Sequence, residues 1–108
     1  MSPNVTDIQV LSDGSLIIVG GGSDSNEWLT SYQGITIPTN IVKINSNGYI
    51  DVKFSADSGL DGSAYSITLE NSGKLVIGGD FDCYSDTTGN NCGLNNLLRI
   101  DEIGRAHV

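Results

Sequence analysis

The sequence predicts an all-β chain of short antiparallel strands, and three observations lead there. Asp13-Gly-Ser-Leu-Ile-Ile-Val-Gly-Gly21 returns as Ser72-Gly-Lys-Leu-Val-Ile-Gly-Gly79, each a tight turn, an apolar run and a glycine pair. A second stretch, Asn40-Ile-Val-Lys-Ile-Asn-Ser-Asn-Gly48, is answered by Asn96-Leu-Leu-Arg-Ile-Asp101, and Ile8 and Val10 ahead of the first turn correspond to Ile67 and Leu69 ahead of the second. The offset is 59 residues at Gly14 and Gly73 and 56 at Asn40 and Asn96, a period that fits one propeller blade or one solenoid coil per repeat. The apolar runs are short, rich in Ile and Val and bounded by glycine turns, so no helical pattern survives. The expected architecture is β-propeller-like blades of four antiparallel strands, about two of them: residues 5–62, then an incomplete unit at 63–101. Two blades cannot close a ring. Either further repeats of the same chain or self-association is expected to cover the outer faces, so the chain reads as a fragment of a longer array.

The elements follow in order. Thr6 to Leu11 alternates polar and apolar residues and ends at Ser12-Asp13-Gly14, a strand and its turn. Leu16 to Val19 is continuously apolar, as expected for a strand covered on both faces. Gly20, Gly21 and Gly22 end it, and with no side chains there a bulge or sharp exit is easy. Ser23 to Thr39 is a polar connection of seventeen residues, long enough to carry function or a small hairpin of its own. Ile41 to Ile44 is the third strand, and Asn47-Gly48 reads as a hairpin turn with positive φ at both centres. Tyr49 to Phe54 is expected to be the fourth strand, with Ile50, Val52 and Phe54 on one face. After a Gly/Asp/Ser connector at 56–62 the cycle restarts with strands at 65–69, 74–77 and 97–100, broken by an insertion at 80–95. The predicted core is Ile8, Val10, Leu16, Ile18, Ile41, Ile44 and Phe54, with Ile67, Leu69, Leu75, Ile77, Leu97 and Ile100 in the second unit.

These residues resemble the delta-60 repeat. The pattern is carried by Asp13 to Gly21, Tyr32-Gln33-Gly34, Ile41-Val-Lys-Ile-Asn-Ser-Asn-Gly-Tyr-Ile-Asp51 and Phe54, and again by Ser72 to Phe81 and Leu98-Arg-Ile-Asp101. It covers about Val5 to Asp101. The resemblance implies a β-propeller-like array in bacterial surface proteins or in phage tail and fibre proteins. It implies adhesion or structural support without catalysis, and an extracellular, cell-surface or virion location. Three positions depart from the family: Lys43 stands for the usual Arg, Ser72 for the turn Asp, and an insertion with Cys83 and Cys92 replaces the Tyr-x-Gly loop. After Asp101 the chain also leaves the pattern, and Glu102-Ile-Gly-Arg-Ala-His-Val108 resembles one reading frame of a DNA sequencing adapter. Residues 102–108 are therefore expected to be a non-native tail on a truncated environmental sequence, the alternative being a genuine irregular C-terminus. Removing that tail takes away one acid and one base and leaves the net charge unchanged.

Charge and composition narrow the function classes. Five Lys and Arg against thirteen Asp and Glu give a net charge of −8, which argues against nucleic acid as a partner, since phosphates need a basic face. No apolar run approaches the roughly 20 residues of a membrane helix, so no membrane insertion is expected. The N-terminus shows no secretory signal. The acidity suits a solvated surface, or surroundings rich in salt or divalent cations.

Candidate chemistry is sparse. His107 is the one histidine and falls in the suspect tail, which leaves no Ser-His-Asp or Cys-His pair and no zinc set. Cys83 and Cys92 bound one ten-residue loop; a disulfide would add about 2–3 kcal/mol and suit an oxidising compartment, and free thiols are the alternative. Asp80, Asp82, Asp86 and Asn90 or Asn91 place oxygen donors in that loop, a candidate Ca2+ set, although the spacing is not that of an EF-hand and Asp and Asn also serve turns. Asp24, Asn26 and Glu27 carry the same two readings. Trp28 and Tyr32 could offer an aromatic platform to a glycan or protein receptor, or pack the loop onto its own blade. Asp51 and Asp61 could be read as paired glycosidase carboxylates, but Asp51 lies on the repeat motif, where bridging strands is the more natural role. The expected function is thus a non-catalytic structural or adhesive module binding, if at all, through loops 22–39 and 80–95. The alternative is a carbohydrate- or calcium-binding sensor domain.

Overall fold

The turn-and-run stretches fold as antiparallel ladders. The computed structural model describes residues 3–54 and 56–106. Its strands are β1 (Val5–Val10), β2 (Leu16–Gly20), β3 (Ser31–Tyr32), β4 (Ile35–Thr36), β5 (Ile41–Ile44), β6 (Gly59–Leu60), β7 (Ser63–Leu69), β8 (Leu75–Asp80), β9 (Tyr84–Asp86), β10 (Gly89–Asn91) and β11 (Leu97–Ile100). The fold is all-β, with one short 3-10 turn at Ser25–Glu27. A first sheet has the order β1-β2-β5 and a second the order β7-β8-β11; β6-β9-β10 form a third, and β3-β4 are a two-stranded hairpin.

The first two sheets match residue for residue. Ile8 faces Ile18 and Ile18 faces Val42 in one, as Ile67 faces Ile77 and Ile77 faces Leu98 in the other. Each inner hairpin carries a register shift at its entry, between Val5 and Asp7 and between Ala64 and Ser66. Four turns close alike. Gly14, Gly48, Gly73 and Gly104 take φ of 87°, 90°, 89° and 89°, and each donates its N–H to the carbonyl three residues back. That left-handed backbone is why glycine holds these positions. At Asn47-Gly48 glycine alone among the pair takes positive φ, so the turn differs from the expected doubly left-handed one.

The first sheet has three strands where four were expected, and the second has the three expected. Residues 49–54 make one isolated bridge, Ile44 with Ile50, and then turn. The Asp51 side chain accepts the Lys53 N–H at 2.9 Å and the Asp51 carbonyl accepts the Phe54 N–H at 3.2 Å, which curls the backbone before a ladder can extend. Val52, expected on one strand face with Ile50 and Phe54, is 89% exposed.

Two apolar clusters hold the chain. The larger joins Ile17, Val19 and Ile41 of the first sheet to Ile67, Leu75, Ile77, Leu98 and Ile100 of the second, together with Leu11, Leu60, Phe81 and Tyr84. The smaller lies on the opposite face of the first sheet, where Leu29 and Ile37 from the long connection cover Ile18, Val42 and Ile44. The predicted core therefore needs correction. Ile8, Val10 and Leu97 are exposed, at 48%, 56% and 59%, and Leu16, Phe54 and Leu69 are half-buried. Ile17, Val19, Val42 and Leu98, left out of it, are buried. Alternation separates the two faces of a strand but does not say which face meets a neighbour.

Polar groups tie the sheets together. Thr6 donates its hydroxyl to the Ala64 carbonyl at 2.6 Å, and Asp7 accepts the N–H groups of Ile8 and Ile67, both at 2.9 Å. Asn40 is fully buried at φ 62°; its side chain accepts the Leu29 N–H at 2.7 Å and donates to the Gly62 carbonyl at 2.8 Å. Ser63 accepts the Gly22 N–H and donates to the Gly22 carbonyl. The close approach there needs a glycine: a Cβ on Gly21, at φ 134°, would strike the Ser63 side chain.

Candidate functional site

The two connections expected to carry binding each acquire structure of their own. In residues 22–39, Asp24 caps the 3-10 turn by accepting the Asn26 N–H, and Glu27 accepts from Ser23 and from the Asn4 side chain. The Ser23 hydroxyl, then the Asn4 amide, hold the Glu27 carboxyl below its ordinary range. Trp28 is half-buried at the end of that turn. Tyr32, also half-buried, packs against the smaller apolar cluster.

In residues 80–95, Cys83 and Cys92 are joined by a disulfide across the base of the β9-β10 hairpin. Asp82 and Asp86 in this segment, and Asp61 beside it, meet backbone amides. Asp61 accepts the N–H groups of Asp82 and Cys83 at 2.9 and 3.0 Å, and Asp82 accepts those of Gly93 and Asn95, both at 3.3 Å. Asp86, only 2% exposed, accepts the Thr88 hydroxyl and N–H on one oxygen and the Ala106 N–H at 2.8 Å on the other. Burial alone would raise the Asp86 pKa, but these donors outweigh it and hold the carboxyl below its usual range. Its neighbour Tyr84 is pushed the other way, by burial first and then by the charges of Asp86 and Asp101, and its hydroxyl donates to the Gly104 carbonyl at 2.6 Å. Asp80 ends β8 exposed, and Asn90 is exposed on β10. Among the described residues no group of three or more His, Cys, Asp or Glu side chains is placed to hold a metal ion. His107 lies outside the described residues.

Asp51 and Asp61 have different partners. Asp51 stands 3.8 Å from the Lys43 ammonium, while Asp61 fastens the base of the disulfide loop. Lys43 is 8% exposed and also donates to the Glu102 carbonyl at 3.0 Å, so residues 101–106 close against the first sheet as well as the second.

One concave surface includes Tyr49, a residue expected in the fourth strand and not in a site. A groove of about 510 Å³ runs between the β3-β4 hairpin and the turn after β5, walled by Ile35, Pro38, Tyr49, Val52 and Phe54, with Lys43 and Asp51 on its polar side. Tyr49 is 71% and Ile35 57% exposed. It offers a phenol face, apolar walls and one ion pair, which is adsorption chemistry. Its signal in the sequence was slight: an aromatic directly after the Asn47-Gly48 turn, assigned to a strand that does not form.

Comparison of the chain with protein-family models, with curated proteins and with solved structures finds no match in any of the three. Among the described residues no helix is long and apolar enough to cross a membrane.

Proposed function

We propose that this chain is a non-catalytic structural or adhesive module of β-propeller-like, delta-60 type, working within an array on a phage tail or fibre or a bacterial surface. One observation carries the reading. The β1-β2-β5 and β7-β8-β11 sheets share strand order, register and turn geometry, and one packs its face on the back of the other. Units that bury a face only by stacking are what an array requires. The acidic side chains Asp61, Asp82 and Asp86 also support a scaffold role, because they fasten backbone amides. The disulfide favours an oxidising, extracellular or virion setting.

A carbohydrate-binding domain is the second reading, favoured by the groove beside Tyr49 rather than by Trp28 and Tyr32. Thermal melting with added Ca2+, together with a glycan-binding panel, separates the two. A scaffold shows neither a calcium-dependent rise in Tm nor saturable glycan binding. Saturable binding lost in Tyr49→Ala, or in Trp28→Ala, would replace the scaffold reading with the second one.

A further inference from the structure

We propose that Asn47 is a site of spontaneous covalent modification: in the exposed turn after β5 it loses ammonia to the Gly48 nitrogen and becomes an aspartyl or isoaspartyl linkage. The inference goes beyond the scaffold and glycan readings and depends on neither. The sequence holds three pairs able to cyclise in this way, Asp13-Gly14, Asn47-Gly48 and Asp61-Gly62. In each, the backbone nitrogen of the glycine can attack the preceding side-chain carbonyl to close a five-membered ring. Glycine puts no side chain in the way, and the two reacting groups are held in one residue pair.

The structure separates the three pairs. Asp13 accepts the hydroxyl and the N–H of buried Ser15 on one oxygen, and these bonds, the hydroxyl first, hold its carboxyl below the ordinary range. An ionised carboxylate is a poor electrophile. Asp61 accepts the Asp82 and Cys83 N–H groups, and beside it a Cβ on Gly62 would strike the Asp80 carbonyl, so that pair has no room to rearrange. Asn47 is a neutral amide and exposed. Its side-chain carbonyl accepts the Tyr49 N–H at 3.2 Å, which polarises Cγ and folds the side chain back along the turn. Nothing lies within 4 Å of where a Cβ on Gly48 would stand. The Gly48 N–H donates to the Asn45 carbonyl at 2.9 Å, and this bond opens before the nitrogen attacks. Opening is local, because residues 46–49 are exposed and the return arm makes one isolated bridge, Ile44 with Ile50, instead of a ladder.

The reaction balances with water alone. Base takes the Gly48 amide proton, the nitrogen bonds to Asn47 Cγ, the bond from Cγ to Nδ2 breaks, and Nδ2 leaves with a proton as ammonia. Water then opens the cyclic imide at either carbonyl. One opening leaves an aspartyl residue, and the other leaves an isoaspartyl residue with an extra methylene in the backbone. Both replace a neutral amide by a carboxylate and add one negative charge to the net −8. The isoaspartyl form also breaks the register in which the Asn45 N–H donates to the Tyr49 carbonyl at 2.7 Å, and so displaces Tyr49 in the wall of the groove.

The test incubates the whole folded chain in mildly alkaline buffer, then digests it with trypsin and follows the peptide 44–53, which lies between Lys43 and Lys53 and contains Asn45 and Asn47. Fragmentation by mass spectrometry places the exchange of amide for acid, and isoaspartyl methyltransferase counts the isoaspartyl product. The expected result is conversion of position 47 to near completion, with a more acidic species on anion exchange, while the other Asn residues stay amides and Asp13 and Asp61 give no isoaspartyl product. Asn47→Gln, whose longer side chain needs a six-membered ring, should melt as the parent does and lose the new species. A folded chain that keeps its amide at position 47, a change confined to chains unfolded in urea, equal conversion at other Asn residues, or an acidic species that persists in Asn47→Gln would overturn the inference. None of these outcomes touches the scaffold reading, which stands or falls on calcium and glycan binding.

Discussion

Asn40 and Asn96 occupy the same place in two sheets of matching strand order and register and live in different environments. Both take left-handed backbone, at φ 62° and 74°, and both accept through their carbonyls the N–H of the glycine across the ladder, Gly20 and Gly79. Asn40 is fully buried, with its side chain bonded on both sides; Asn96 is exposed. The same contrast separates Ile41 from Leu97 and Ile67 from Ile8. Local pattern makes the two sheets alike. What stands next to each sheet makes them differ, and the burial of a side chain, not its place in the motif, sets its energetic weight.

Substitutions at paired positions break or sharpen this contrast. The largest difference is expected between Ile41→Ala and Leu97→Ala. Emptying the fully buried site should cost about 3–4 kcal/mol in urea unfolding, and the exposed one under about 1 kcal/mol in dilute solution. Equal costs would mean that the second sheet's outer face is already covered. Asn40→Ala should cost about 3 kcal/mol, because it orphans the Leu29 N–H and the Gly62 carbonyl and leaves Ala at positive φ, while Asn96→Ala should cost about 1 kcal/mol for the backbone alone.

The insertions sharpen the comparison next, since only the second is covalently closed. Reduction, or a Cys83→Ser/Cys92→Ser double variant, should lower stability by about 2 kcal/mol, with hydrogen exchange rising first in β9 and β10 and least in β1 and β2. Uniform loss of protection would show that the loop supports both sheets equally.

The smallest effect is one of pH. The Asp86 carboxyl has a lowered pKa in the folded chain, so its contribution is complete above the ordinary unfolded value of about 3.9 and fades as pH falls through the folded value. Acid titration of stability should therefore fall below about pH 4, and Asp86→Asn should flatten that part of the curve. An unchanged acid limb would assign the loss to other carboxylates.

How far the structure was legible depended on how local each cause is. β5 and β11 fall on the expected residues 41–44 and 97–100, because apolar runs flanked by Asn and Gly turns specify them within a few positions. The fourth strand did not form, because Asp51 turns its own backbone through Lys53, a contact as local as the alternation that suggested a strand. β6 went unseen: Gly59 and Leu60 have no strand pattern and pair with β9 only because the second insertion folds back upon them. Trp28 and Tyr32 carried two readings, an aromatic platform or packing of the loop, and Tyr32 packs against the smaller cluster, while Tyr49 and Val52 wall the groove.

By itself the sequence determined the period, the strand runs and the glycine turns, since each depends on backbone geometry within four or five residues. Tertiary structure alone decided which face of each sheet is core. It left Ile8 and Leu97 bare, made Asn40 a buried tie, and set Asp61, Asp82 and Asp86 to backbone amides. Those outcomes depend on partners as many as sixty residues away, such as Ile67 for Asp7, and no local pattern carries that information.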